Sequence, residues 1–281
     1  MLKIKSGPLK GFQLHYAIVY PLLTFLVLAI NYPFLWMFLS AFRGRADFFV
    51  LPTTLIPRVW VWGNFREAWI LAPWATYIRN SFICAIFPMV GQMVLGSLAA
   101  YAFTRTFKGS KIIFTLFLGT MMIPGQATYI PNYVIFKYLG WLNTYLALTV
   151  PFLTGTFAIF LIRQYFLSVP KDYEDAATID GAGPFYFLFR VLMPLSTPAL
   201  ITVALLTFND RWNDYLYSMI MTSREAMRTV QVVMAAFQSE GGTVWNQLMA
   251  ASTFVTVPVI VLFLFVQRRF IDGVMMSGVK G

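Results

Sequence analysis

The residues able to do chemistry are few, and their scarcity narrows the possibilities. The chain has one histidine, His15, and one cysteine, Cys84, in 281 residues. Zinc coordination and Cys–His nucleophilic catalysis each need several such groups in convergence. Cys84 sits in an apolar run and is expected to act as a small core or lipid-facing residue. His15, at the head of another apolar run, is expected at an interface. A phosphate-binding loop needs a glycine-rich turn closed by Gly-Lys and then Ser or Thr. The nearest approach is Gly273-Val-Met-Met-Ser-Gly278-Val-Lys280, where Val279 separates the glycine from the lysine and Gly281 stands in the hydroxyl position. No nucleotide or other cofactor is therefore expected on this chain, and energy must come from another chain or an ion gradient. Asp210, Arg211 and Asp214 cluster at the end of an otherwise uncharged run. Either they line a path for polar solutes or they pair with one another. The last concentration of polar groups, Ser168 to Pro184, holds Asp172, Glu174, Asp175 and Asp180, four of the eleven acidic residues. With no base or nucleophile nearby, the chemistry it suits is recognition.

The elements that must carry these residues follow from composition. Hydrophobic residues make up 59% of the chain and charged residues only 11%, against roughly 25% charged in a soluble domain. Too few charges exist to cover a water-facing surface, so the solvent is lipid. A bilayer needs about 20 mostly apolar residues per helix. Six runs qualify, at about 16–41, 80–104, 112–136, 142–163, 191–214 and 247–267. They are continuous rather than alternating, which favours helices over barrel strands. The first is too long for a signal-peptide core and is read as an uncleaved span. Pro21, Pro33, Pro88, Pro124, Pro131, Pro151, Pro198 and Pro258 lie in or beside the runs and are expected to kink them. The net charge of +10 marks cytoplasmic helix ends rather than nucleic-acid binding. Arg105, Lys108 and Lys111, in one short connection, orient both termini to the cytoplasm. The expectation is an all-α, polytopic membrane protein: one transmembrane domain over residues 1–281, with six spans.

Between spans four and five the sequence reads as helix, turn, helix. Ser168 is placed to cap and Pro170 to begin a helix. Asp172, Glu174 and Asp175 face the positive end of its dipole. Gly181 stops it, and Gly183-Pro184 opens the next. On physical grounds residues 170–183 are either a solvated loop or a rigid docking helix. In the second case Ala176 and Ala177 would leave room for a partner.

The stretch Glu174-Asp-Ala-Ala-Thr-Ile-Asp-Gly-Ala182, followed by Pro194 and Pro198, resembles the signature of permease subunits of binding-protein-dependent ABC importers. Asp175 stands where that signature usually has glutamate. Asn80-Ser81, Ile123-Pro-Gly-Gln126, Trp212-Asn213 and Gln267-Arg-Arg-Phe270 extend the resemblance to the carbohydrate-uptake branch, in particular its maltose-type second permease. The resemblance implies a coupling helix in which Glu174, Asp175, Ala176, Ala177, Asp180, Gly181, Ala182 and Gly183 meet an ATPase. It also implies a second permease subunit, two ATPase subunits or an ATPase homodimer holding ATP and magnesium, and an extracytoplasmic solute-binding protein. The location implied is a prokaryotic inner membrane, and the solute a sugar or related polar molecule.

Two further sites complete the expectation. Gln126, Asn209, Trp212, Asn213 and Tyr215 are candidates for the solute pathway, because polar and aromatic groups beside a kinked span can bond to and stack on a sugar. Ser239, Glu240, Gly241, Gly242 and Thr243 are candidates for contact with the solute-binding protein. The rival reading is a secondary transporter or channel subunit, which would place more ionisable groups within the spans.

Overall fold

The computed structural model describes residues 9–52, 54–237 and 243–278, and among them all regular structure is helical. Two compact units divide the chain. The first comprises Met1–Ala72 with Ser239–Phe254, the second Pro73–Gln238 with Val255–Gly281.

In the first unit, α1 (Leu9–Ser40) is followed by an irregular stretch and by α2 (Gly63–Ile70). Apolar side chains such as Ile18, Phe25, Leu28 and Ile30 lie exposed along α1, as in a helix covered by lipid or another chain. Where α1 ends, backbone carbonyls lose their helical partners, and Asn64 takes over. Its amide donates to the Ala41 and Arg43 carbonyls at 2.8 Å each and accepts from Asn246 at 2.8 Å. Arg43 is buried, donates to the Leu55 carbonyl at 3.2 Å and lies over the Trp36 ring. Phe42 packs against Trp60, Trp62 and Phe65.

The second unit is built on α3 (Trp74–Thr104), against which α7 (Thr156–Ser168) and α11 (Thr197–Trp212) pack. Between α3 and α7 come α4 (Ser110–Gly119), α5 (Tyr129–Tyr138) and α6 (Tyr145–Thr149). Next follow α8 (Asp172–Ile179) and a helix of three parts: α9 (Pro184–Phe187), a π turn (Leu188–Leu192) and α10 (Met193–Leu195). After α11 come α12 (Leu216–Met221), α13 (Val230–Ala236) and α14 (Trp245–Gly278), whose first turns belong to the first unit. Lipid tails are as apolar as side chains, so close fit replaces the hydrophobic effect as the force between spans. Small residues permit that fit. Ala100 and Ala158 are buried in one cluster with Ile159, Ile162, Leu188 and Val203. A side chain at Gly96 would already touch Ile162 at 3.4 Å.

Four stretches are long and apolar enough to cross a membrane: Ile18–Ser40, Trp74–Thr104, Tyr145–Ser168 and Trp245–Phe265. Two more qualify only as bent pairs, Ser110–Met122 with Gly125–Tyr138 at 93°, and Pro184–Leu195 with Thr197–Trp212 at 79°. Counting each pair as one span gives six. The bends have local causes. Ile123 precedes Pro124, whose ring disfavours helical backbone at the preceding residue; both are extended. At the second bend Ser196 leaves helical geometry with ψ 16°, between Pro194 and Pro198. Pro21, Pro33, Pro88 and Pro258, by contrast, lie inside helices that continue through them.

The stretch Tyr145–Ser168 is also interrupted, at residues 153–155. A break in lipid strands backbone carbonyls that must find partners. Gln92 of α3 donates to the Phe152 carbonyl at 3.0 Å and accepts from Thr207 of α11 at 2.8 Å. Gly91 lets α3 come this close: a Cβ there would lie 2.7 Å from Leu153 Cδ2 and 2.9 Å from the Leu153 carbonyl oxygen.

Candidate functional site

The acidic stretch folds into α8, shorter than the 170–183 expected. Ser168 does not cap it. Its hydroxyl donates back to the Tyr165 carbonyl at 2.7 Å, so Ser168 closes α7 instead. α8 begins at Asp172 with Asp172, Glu174 and Asp175 in its first turn, where carboxylates offset the amino-terminal partial charge. Gly181 stops it at φ +80°. The Ala182 amide donates to the Ala177 carbonyl at 2.9 Å and the Gly181 amide to the Thr178 carbonyl at 3.0 Å. This is a Schellman stop, which needs a left-handed residue that glycine adopts without a Cβ penalty. Pro184 then opens α9.

Of the eight residues of α8, only Glu174 and Ala177 are partly shielded. They lie three positions apart and so share a side. Ala177 packs on the core cluster that includes Ala100, Ile162 and Phe187. The two alanines therefore part company: Ala177 looks inward and Ala176 is exposed. Tyr173 and Ile179 are exposed as well, Ile179 at 87%. Beside the glycine stop lies an open cavity of about 460 Å³, bounded by Ala177, Asp180–Gly183 and Tyr186. A rigid, short helix with exposed apolar tips and an acidic rim can seat a complementary protein surface.

Glu174 meets Arg105, the residue that ends α3, in an ion pair, and Arg105 also bonds the Tyr101 hydroxyl while lying over its ring at 4.5 Å. Burial alone would lower the Arg105 pKa, but the bonds to Glu174 and Tyr101 outweigh it and raise it. Sequence reading counted Arg105 only as an orienting charge. Nothing in the local sequence pairs it with a residue 69 positions away.

At the end of α11, Asp210 and Arg211 pair at 2.7 Å, and Arg211 stacks on Phe152 at 3.7 Å. Asp214 instead accepts from the Ser218 amide at 3.0 Å and hydroxyl at 2.7 Å, capping the start of α12. Asn209 and Asn213 come together, with the Asn213 amide donating to the Asn209 carbonyl at 2.8 Å and Gln231 reaching Asn213 at 3.3 Å. Trp212 is buried between Phe82 and Phe208. Tyr215 is partly exposed. Gln126 lies exposed just past the α4–α5 bend, and among the described residues no hydrogen bond joins it to Asn209 or Asn213. Ser239, Glu240, Gly241 and Gly242 lie outside the described residues; Thr243 is partly buried.

The segment following α12 is stitched down by α3. Asn80 is buried, donates to the Ala226 and Arg228 carbonyls at 2.9 Å each and accepts from the Tyr145 hydroxyl at 2.6 Å. Ser81 accepts from the Val230 amide at 2.9 Å. Asn143, in left-handed backbone at φ 60°, accepts from the Ser223 and Arg224 amides at 2.7 Å each. Asn80-Ser81 stands out in the sequence by resemblance alone; its partners lie 65 residues downstream, at Tyr145, and 146–149 residues downstream, at Ala226, Arg228 and Val230.

Comparison with known proteins bears on the whole chain. Residues 92–275 match the family described as binding-protein-dependent transport system inner membrane component. The chain is 35% identical to the probable ABC transporter permease protein YurM of Bacillus subtilis (strain 168), over 100% of this chain and 94% of that protein. It is 31% identical to the sn-glycerol-3-phosphate transport system permease protein UgpE of Pectobacterium atrosepticum, over 89% and 92% of the two chains. The YcjP inner membrane ABC transporter permease protein of Escherichia coli K12 is 32% identical over 92% and 93%. The fold superposes with a TM-score of 0.80 on a chain of a bacterial ABC transporter involved in the import of the acidic polysaccharide alginate, covering 96% of this chain and 100% of that one at 23% identity. The chain belongs to the binding-protein-dependent transport system inner membrane components: it is a multi-pass permease subunit of an ABC importer, a transport subunit and not an enzyme.

Proposed function

We propose that this permease forms half of the pathway for a sugar or a related polar solute, such as an oligosaccharide, a polyol or glycerol phosphate, and that α8 receives the thrust of a separate ATPase. The observation that carries the reading is the exposure of α8: six of its eight residues, Ile179 foremost, are exposed on this chain. The basic connection that holds Arg105, Lys108 and Lys111 supports cytoplasmic termini. A second permease completes the pathway, and an ATPase pair holds ATP and magnesium. A solute-binding protein delivers from outside, as the complex of a fold relative with an alginate pentasaccharide-bound periplasmic protein supports. Within the cell the membrane is the prokaryotic inner membrane.

Ala176→Asp tests the docking surface, because Ala176 is exposed and its change leaves this chain's packing alone. The variant is expected to insert normally but to lose copurifying ATPase and uptake. Full ATPase capture and normal uptake would end the reading. Asn209, Asn213, Tyr215 and Gln126 are proposed for the pathway, with Trp212, buried between Phe82 and Phe208, supporting it from within the chain rather than touching solute; Asn213→Ala is expected to weaken uptake affinity. An unchanged affinity in an assembled transporter removes Asn213 from it. Residues 239–243 are proposed to touch the solute-binding protein, and their deletion should abolish stimulation of ATP hydrolysis by that protein; retained stimulation refutes the contact.

A further inference from the structure

Resting on the reading of α8 as the coupling helix, we infer that Arg105 is a positioning residue that ties α8, through Glu174, to the end of α3, and that this tie acts beside the packing of Ala177 to set the resting position of α8. Four observations lead there. First, Arg105 hangs from a braced post. The end of α3 is fixed by Arg163 of α7, whose Nε donates to the Phe103 carbonyl at 2.9 Å while its guanidinium lies over Phe114 at 4.3 Å. Second, Tyr101 holds the guanidinium from one turn earlier, by its hydroxyl and by its ring. Third, the inner side of α8 is packed at Ala177 but not at Glu174. Arg105 and Glu174 themselves border a cavity of about 240 Å³ that Tyr101, Phe166, Lys171 and Phe187 also line, so this part of α8 has room to move if released. Fourth, Glu174 is the one acidic residue of α8 that is partly shielded, while Asp172 and Asp175 are exposed.

The division of labour follows. The exposed side of α8 meets the ATPase, and Glu174 faces back to α3. Because α7 and α11 both pack on α3, the tie adds a direct route into the span bundle, beside the two covalent ends of α8. The side chains of Arg105 and Glu174 are 44% and 33% exposed, so the pair adds little to folding stability. It is nonetheless enough to bias two positions of α8 by up to roughly five-fold.

The test uses the assembled transporter, with its ATPase and solute-binding protein, in proteoliposomes. The variants are Arg105→Gln, Glu174→Gln and the double, and the readout is solute taken up per ATP hydrolysed, with copurified ATPase as the measure of assembly. A residue that merely supported folding would change the amount of transporter and leave this ratio alone. Each single variant is expected to lower the ratio measurably, by up to roughly five-fold, with ATPase capture unchanged. The double should fall no further than the worse single, because both changes remove one interaction. An unchanged ratio in either single, a double that falls by the product of the two, or loss of ATPase capture in Glu174→Gln alone overturns the inference. Ala176→Asp in the same assay reads docking by itself, so failure of the tie and failure of the docking reading are separately visible.

Discussion

Gly181 offers the sharpest test of how α8 is held. Its φ of +80° is left-handed, and a Cβ built there meets nothing within 4 Å. Any cost of substitution is then conformational, not steric. An ordinary L-residue loses about 1–2 kcal/mol in left-handed backbone; asparagine loses less, since its side chain bonds locally; a β-branched residue loses most. A cost of 1–2 kcal/mol changes the population with a correctly stopped α8 by roughly five- to thirty-fold. Uptake by Gly181→Asn, Gly181→Ala and Gly181→Val, normalised to permease in the membrane, should therefore fall in that order, with asparagine near the parent. The assay is radiolabelled solute uptake in proteoliposomes, with copurified ATPase measured in parallel. If asparagine is as damaging as valine, side-chain bulk against a partner governs the position and the backbone argument is wrong. If all three transport normally, the left-handed stop is irrelevant to coupling.

Asn80→Ala removes two donated bonds and one accepted bond from a fully buried amide, a loss of about 3 kcal/mol at about 1 kcal/mol each. The detergent melting temperature should drop markedly, and an unchanged melt refutes the stitching role. Gly91→Ala pushes a methyl to 2.7–3.0 Å from atoms of Leu153, two of them backbone. Overpacking costs about 1–3 kcal/mol, so the variant should melt lower than the parent; equal melting would mean that α3 and the 153–155 break do not touch.

The sequence carried the apolar runs, the acidic grammar of residues 172–181 and the glycine stop, because these signals are local. Gly181 announces its own φ, and the acid-rich first turn announces a helix amino terminus. The two bent spans were less legible. Pro21, Pro33, Pro88 and Pro258 lie within unbroken helices while bends form at Pro124 and around Ser196, so a proline by itself does not say whether neighbours will satisfy the freed carbonyl or let the helix turn. Ser168 reads as a cap but closes α7, because a Ser hydroxyl can equally bond back to its own preceding turn, and only the length of α7 decides. The inward turn of Ala177 and the pairing of Glu174 with Arg105 depend on which side of α8 meets the bundle, which no local pattern encodes.

The residues that composition left unranked share a physical rule. At four irregular segments stranded backbone groups are met in one way: a single amide side chain from elsewhere in the chain takes two of the polar partners. Asn64 serves the end of α1, Asn80 the Ala226 and Arg228 carbonyls, and Asn143 the Ser223 and Arg224 amides. Gln92 bridges the Phe152 carbonyl and the Thr207 hydroxyl. An amide side chain offers a donor and an acceptor at once, which a hydroxyl or an ion does with less geometric precision or at greater cost in lipid. Where apolar contact cannot distinguish one span from its neighbour or from lipid, such amides fix which element sits against which break. They do so without adding charge to the apolar interior.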